Sequence, residues 1–368
     1  MDSTLHYLIA LALTPKLGPI TAKKLIAYCG GIKEVFTSQP KELSKIPGLG
    51  NTTVQRMDFD KGKKLAEEEI LFCEKHSIKI LSSFEKRFPP KLINCPDSPL
   101  ILFVKGNEDI LFKKRIFAIV GTRNSTVYGK IMVESLVHDF KERNHDITIV
   151  SGLAYGIDVI AHKASLHNQI PTAAVLGHGL DKIYPAQHRS IALNIIKENG
   201  ALVTEFPHKA PYDKTNFIRR NRIIAGLSDA ILVAESGISG GALATADYAQ
   251  GYGRDVFAFP GKIGDENSAG CNALIKRNKA ALCENLSDIE YGMNWDTNSK
   301  SPVQKQIFEE LTEEEETIFD LFEDDQPITV DYLASKLAIP VYKVSSILLA
   351  IEFKGIITAC PGNQYRKN

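Results

Sequence analysis

The chain has 368 residues, 44% hydrophobic and 24% charged, with 44 basic residues balanced by 44 acidic ones. That is the composition of an ordinary soluble protein of two to three domains, and it excludes the strongly basic signature of a dedicated duplex-DNA reader. No apolar run approaches the roughly 20 residues of a membrane span.

The N-terminus, MDSTLHYLIALALTPKLG, has no basic segment ahead of its apolar stretch, so no signal peptide is expected. Cys29, Cys73, Cys95, Cys271, Cys283 and Cys360 are scattered without a C-x-x-C. They read as incidental thiols of a reducing cytosol, not as zinc ligands or disulfides. The charge is uneven: from Lys300 onward there are 7 basic and 12 acidic residues, leaving 37 basic against 32 acidic before it. A mild basic excess on one part and an acidic tail domain point weakly to a polyanion ligand.

In chain order, residues 1–60 read as a domain of short helices with two glycine turns, LGPI and IPGLG. Turns of this type expose backbone N–H groups to phosphate in helix-hairpin-helix modules; the other reading is that the glycines only cap helices. Residues 61–112 form a connector, with a charged helix to His76, a strand IKILSS, a proline-broken stretch and a strand LILFVKGN. It is expected to pack as an edge on a central sheet.

Residues 113–285 alternate apolar runs with segments of helical length. The runs are IFAIVG, ITIVSG, TAAVLG, ALVTEF, AILVAE, DVFAFP and AALCE. Near-continuous Val, Ile and Ala runs imply strands buried on both faces, hence a parallel sheet between helices. The predicted fold is α/β with an extended Rossmann-like sheet domain over 61–290. A polar linker follows at 291–310. Residues 311–368 read as three helices and a Pro-Gly-Asn hairpin, the order of a winged helix.

The chemistry is expected at the carboxyl ends of the strands, where open α/β sheets bind ligands. There is no G-x-x-x-x-G-K-[ST], no G-x-G-x-x-G and no HExxH. No ATP site, dinucleotide cofactor or metal is therefore expected. What remains is polar loops. Gly121, Thr122 and Arg123 form a turn ahead of a helix, an anion site by construction. Ser151 and Gly152 open SGLAYGID, a composition that suits a phosphate nest, with Asp158 tying down the loop. Lys182, Tyr184 and Arg189 lie in a long turn.

Phe217, Arg220, Asn221 and Arg222 lie in NFIRRNRIIAGLS, the most basic piece, able to clamp phosphates and stack a base. Each Arg of the RNR triplet has two readings open, a phosphate ligand or the ion-pair partner of Glu205 or Glu235. Ser239 and Gly240 open another helix. Glu205 and Glu235 end strands and could meet in the crevice, but no catalytic constellation stands out. Several anion sites along one sheet edge suit a string of phosphates better than a single nucleotide.

AIVGTRNSTVYG, SGLAYGIDVIAH, AAVLGHGLDKIYP, FIRRNRIIAGLSD, SGGALATADYA, VFAFPG and GCNALI, in this order, resemble the DNA-processing protein A (DprA, or Smf) family over essentially the whole chain. The resemblance implies a SAM-like helical domain, an extended Rossmann-like domain and a winged helix. It implies a non-enzymatic role: binding and protecting single-stranded DNA in the cytoplasm, loading the RecA recombinase and displacing single-strand binding protein in natural transformation. It also implies a homodimer through the Rossmann-like domain. The family's DNA-binding Arg falls on Arg123. A Lys that contacts DNA in some relatives falls on Ala186, so that contact is absent or replaced by Lys182 or Arg189. The acidic winged helix is expected to meet a partner rather than duplex DNA. The competing reading is a nucleotide phosphoribohydrolase, because SGISGGALATADYA loosely resembles a PGGxGTxxE loop; Ala246 and Asp247 follow Thr245, and the motif's Glu is missing.

Overall fold

The computed structural model describes residues 3–295, 311–322, 327–354, 356–360 and 363–367. They fall in two compact units, Met1–Asp296 and Thr297–Asn368.

The first unit opens with five helices: α1 (Ser3–Leu13), α2 (Pro19–Cys29), α3 (Ile32–Thr37), α4 (Pro40–Leu43) and α5 (Asn51–Gln55). The longer α6 (Phe59–Lys75) is started by Asp58, whose side chain accepts from Lys61 N. Next come β1 (Lys79–Ser82), α7 (Pro90–Ile93) and β2 (Ile101–Gly106). The repeating part is β3 (Arg115–Gly121), α8 (Val127–Glu142), β4 (Ile147–Ser151), α9 (Ile157–His167), β5 (Thr172–Val175), α10 (Arg189–Lys197), β6 (Ala201–Thr204) and α11 (Lys214–Leu227). It continues through β7 (Ala230–Glu235), α12 (Gly241–Gly251), β8 (Asp255–Ala258), α13 (Ala269–Lys276), β9 (Ala281–Leu282) and α14 (Leu286–Met293).

The nine strands form one sheet in the order β1-β2-β6-β5-β4-β3-β7-β8-β9. β6 through β9 pair in parallel, as the buried apolar runs require. The connector adds β2 antiparallel to β6, and β1 then forms the edge. Side chains alternate across the sheet. Ile116, Ala118 and Val120 join one core with α11, α12 and α13, while Phe117 and Ile119 join another with α8, α9 and α14. β2 divides likewise: Leu102 and Val104 face the first core, and Ile101 and Phe103 face the N-terminal helices. The helices before residue 60 thus share one continuous core with α6 and β2. At the other end, Trp295 is buried against Phe117, so the chain through Trp295 is part of this unit. The rest of the expected linker lies outside the described residues.

The second unit contains α15 (Glu313–Phe319), β10 (Ile328–Thr329), α16 (Val330–Leu337), α17 (Val341–Phe353), β11 (Ile357–Cys360) and β12 (Gln364–Lys367), with sheet order β10-β12-β11. Three helices around Leu333, Val344, Leu348 and Ile351, closed by a small antiparallel sheet, make a winged helix. Thr312 and Glu315 cap α15 reciprocally. Among the described residues, no single helix is long and apolar enough to cross a membrane.

Candidate functional site

The chain order reverses between β3 and β7, so the ligand crevice of an open sheet is expected at their carboxyl ends. That position is filled by the protein itself. The Glu235 carboxylate, at the end of β7, accepts from Thr126 N at 2.9 Å and from Thr126 Oγ1 at 2.5 Å. It occupies the anion site that the sequence assigned to a ligand at the start of α8. Gly129 is glycine for the same reason, because a Cβ there would strike that carboxylate. The Gly121 turn is held by backbone: Thr122 N donates to Glu235 O, and Thr122 O accepts from Ile157 N. Gly156, at φ +73°, passes so close to Thr122 and Arg123 carbonyls that no side chain fits. The result is a rigid frame from which Arg123 projects, exposed.

Arg123 points to the neighbouring cleft, at the ends of β3, β4 and β5. This pocket has about 460 Å³ of open space and is lined by Arg123, Tyr155, His178, Tyr184, Phe217 and Arg220, with Leu153, Leu176 and Gly177 behind them. Three rings meet at its wall. Tyr184 and Phe217 have centroids 5.5 Å apart, and Tyr212 lies 5.1 Å from Tyr184 and 5.7 Å from Phe217. The Arg123 guanidinium stands 6.0 Å from the Phe217 centroid. Gly177 lets the Phe217 ring lie flat against the end of β5, since a Cβ would come within 2.9 Å of it.

Buried polar groups hold this wall. His178 Nδ1 donates to Gly179 O at 2.8 Å and its Nε2 accepts from Tyr184 N at 3.2 Å, which sets the ring of Tyr184. Burial pushes the His178 pKa down, so the neutral ring that this pattern requires is favoured. His188 bonds Leu153 O, packs on Tyr155 and positions the long turn. Arg220 is buried in the floor, donating through Nη1 to Val175 O while its Nε has no partner among the described residues. Gly152 leaves room for Arg220 and Asp158 side by side. Burial raises the Asp158 carboxyl and Arg220 pulls it back; Asp158 also accepts from Ala154 N and so ties down the loop.

The structure therefore unites Arg123, Phe217 and Arg220, and adds Tyr155, His178 and Tyr212, which sequence reasoning missed. It separates the others. Ser151 is fully buried and donates to Ile119 O, so its hydroxyl belongs to the sheet and not to a phosphate nest. The Gly152 carbonyl is taken by His162 Nε2. Arg222 is buried, ion-paired with Glu205 and bonded to Asp97 O at 2.5 Å, which resolves its two readings toward crevice closure. Asn221 reaches Gly241 O at 3.3 Å, on the side of α12. Ser239 and Gly240 sit at the end of β7, beyond the pocket lining, with Gly240 N donating to Gly237 O. Lys182 is exposed on the long turn, within 3.4 Å of Ala210 O, and Arg189 is exposed at the first position of α10. Glu205 and Glu235 have separate structural partners and do not meet. No group of three or more His, Cys, Asp or Glu could hold a metal among the described residues, and all six Cys are free thiols.

An extended Rossmann-like sheet whose open cleft is walled by aromatic rings and edged by guanidinium, with a winged helix in the same chain, defines the class. The family model for DNA recombination-mediator protein A matches residues 79–294, and that for the DprA winged helix domain matches 303–363. Protein Smf of Escherichia coli K12 is 35% identical over 312 residues, 83% of this chain and 81% of its own. The crystal structure of DNA processing protein A from Streptococcus pneumoniae superposes with a TM-score of 0.64 at 32% identity, covering 78% of this chain and 96% of that one. DNA processing protein A from Helicobacter pylori, described for its single-stranded DNA binding mode, superposes with a TM-score of 0.53 at 26% identity, covering 60% and 96%. The chain belongs to the DprA/Smf family of DNA-processing proteins.

Proposed function

We propose that this chain binds single-stranded DNA in the aromatic cleft, protects it, and loads the RecA recombinase onto it while displacing single-strand binding protein, in natural transformation or another recombination route. The observation that carries the reading is the pocket at the ends of β3, β4 and β5, where Tyr184, Phe217 and Arg123 converge. Aromatic walls stack an unpaired base at about 1–3 kcal/mol per base, and a guanidinium at the mouth meets the adjoining phosphate. A paired base in a duplex has no free face for such a wall. The relative from Helicobacter pylori, known for its single-stranded DNA binding mode, supports the same assignment.

In this reading Gly121 and Thr122 hold Arg123 in place. Lys182 and Arg189 take the backbone where Ala186 offers no charge. Arg220 supplies fixed positive potential from the floor. Gly152, Ser151, Arg222, Asn221, Ser239 and Gly240 shape the rim without touching the strand. Stacking and ion pairing break no covalent bond, so the activity needs neither cofactor nor metal. A homodimer through the sheet unit and a cytoplasmic location complete the proposal. Fluorescence anisotropy with a labelled oligonucleotide, single-stranded and then annealed, tests it. Preference for the single strand is expected; equal or tighter duplex binding would overturn the assignment.

A further inference from the structure

A second and larger cavity lies further along the same rim. It holds about 1720 Å³ of open space between the α1–α2 turn, the start of β2 and the loop from β6 to α11. Lys16 and Lys61 line it from the N-terminal helices, and Asn216, Arg219 and Phe206 from the sheet side. The two cavities share one divider. The first turns of α11 present Phe217 and Arg220 to the aromatic pocket, and Asn216 and Arg219 to the groove. In sheet order the pocket follows the ends of β3, β4 and β5, and the groove follows the end of β6 and the start of its antiparallel neighbour β2. They are successive stations on one edge.

The charges in the groove are unequal in availability. Its two carboxylates are already engaged: Glu205 pairs with Arg222, and Asp213 caps α11 by accepting from Thr215 N at 2.8 Å. Its lysines are free to act. The ammonium groups of Lys16 and Lys61 are exposed and have no ion-pair partner among the described residues. Arg219 lies over the Phe206 ring at 5.6 Å, a flat cation on an aromatic platform that leaves its outer face open. A cavity with two unpaired lysines, an arginine lying on a ring, one carboxylate ion-paired with Arg222 and a second spent as a helix cap carries a net positive charge and suits a polyanion with stacking groups.

We infer that this groove is a second subsite for the same single strand, which crosses the first turn of α11 from the aromatic pocket and runs between the sheet and the N-terminal helices. The inference rests on the reading of the first pocket given above. It assigns the N-terminal helices to the nucleic-acid interface through Lys16 and Lys61, flanking the LGPI turn. The IPGLG turn, the better match to a phosphate-binding hairpin in sequence, does not line the groove.

The test compares oligothymidylates of about 6 and about 30 nucleotides, the short one filling one subsite and the long one able to reach both. Parent chain, Arg123→Ala and the double variant Lys16→Ala/Lys61→Ala are titrated against each at several salt concentrations. Both lysines are exposed, and unchanged thermal melts confirm folding. The double variant should bind the short oligonucleotide as the parent does. It should bind the long one about 25-fold more weakly at 0.1 M salt, with the log–log salt slope flattened by about 1.4, two phosphate contacts at about 0.7 each. Parent-like binding of both lengths by the double variant overturns the second subsite and leaves the first intact. Absence of single-strand binding by the parent, or an Arg123→Ala variant without effect on either length, instead overturns the first reading and the second with it.

Discussion

Arg123→Ala is the sharpest perturbation of the aromatic pocket. The side chain is exposed, has no ion pair among the described residues and projects from a turn held by backbone bonds. Its removal should therefore leave stability within about 0.5 kcal/mol of the parent. The exposed cations along the rim are Arg123 at the pocket, Lys182 and Arg189 beyond its lining, and Lys16, Lys61 and Arg219 at the groove. If each neutralises one phosphate of a long single strand, the log–log salt slope is about −4.2, from about −0.7 per contact. Arg123→Ala should bring it to about −3.5, with affinity about 5-fold lower at 0.1 M salt and about 2-fold lower at 0.3 M. Arg123→Lys keeps the charge and should keep the slope, while losing the flat contact with Phe217. Anisotropy titrations from 50 to 400 mM salt measure all three proteins. An Arg123→Ala slope equal to the parent's would show that Arg123 meets no phosphate, and the pocket would lose its orienting charge.

Three further outcomes follow from the same geometry. Phe217→Leu keeps apolar volume beside Gly177 but removes the stacking face; single-strand affinity should fall by about 5- to 150-fold, the equivalent of 1–3 kcal/mol, with the salt slope unchanged. A fall confined to the thermal midpoint would make Phe217 a packing residue only. Arg222→Met leaves Glu205 buried without its partner and should cost about 3–5 kcal/mol of stability in a denaturant melt, with no selective loss of DNA binding at temperatures where the variant is folded. A stable variant with weakened DNA binding would return Arg222 to the interface. His162 is fully buried, and burial lowers its pKa from 6.5 to about 4. The unfolded chain takes up the proton first as pH falls. The stabilisation is therefore complete above pH 6.5 and is lost progressively toward pH 4, by roughly 3 kcal/mol. Denaturant melts between pH 7 and pH 4 check this against His162→Gln; a parent curve as flat as the variant's contradicts it.

The strands were legible in the sequence because each is an apolar run buried on two faces, a property that short-range composition reports. The turn before α8 was legible for the same reason, as a strand that stops at Gly121. The direction of polar side chains at the strand ends was not. Glu235 fills the α8 anion site from 109 residues away, and Arg222 finds Glu205 only once α11 lies across the sheet at β3, β4 and β5. Ser151 looked like a loop hydroxyl, yet the neighbouring strand β3 offers it the Ile119 carbonyl. Residue type alone could not separate Arg220 in the floor from Arg219 in the groove, because they are adjacent on one helix and the turn of about 100° per residue sends them to different cavities. The aromatic wall was the hardest part to see. Tyr155, Tyr184, Tyr212 and Phe217 come from three loops and a helix, and no spacing connects them.

Photocrosslinking reaches the central claim most directly, since it reports where the bases lie rather than how tightly they bind. A single-stranded oligonucleotide carrying 5-iodouracil, irradiated with the full chain and digested for mass spectrometry, should place its adducts on Phe217, Tyr184, Tyr155 or Tyr212, and the annealed duplex should give few of them. Adducts confined to residues 311–368, or equally strong from the duplex, would contradict the account.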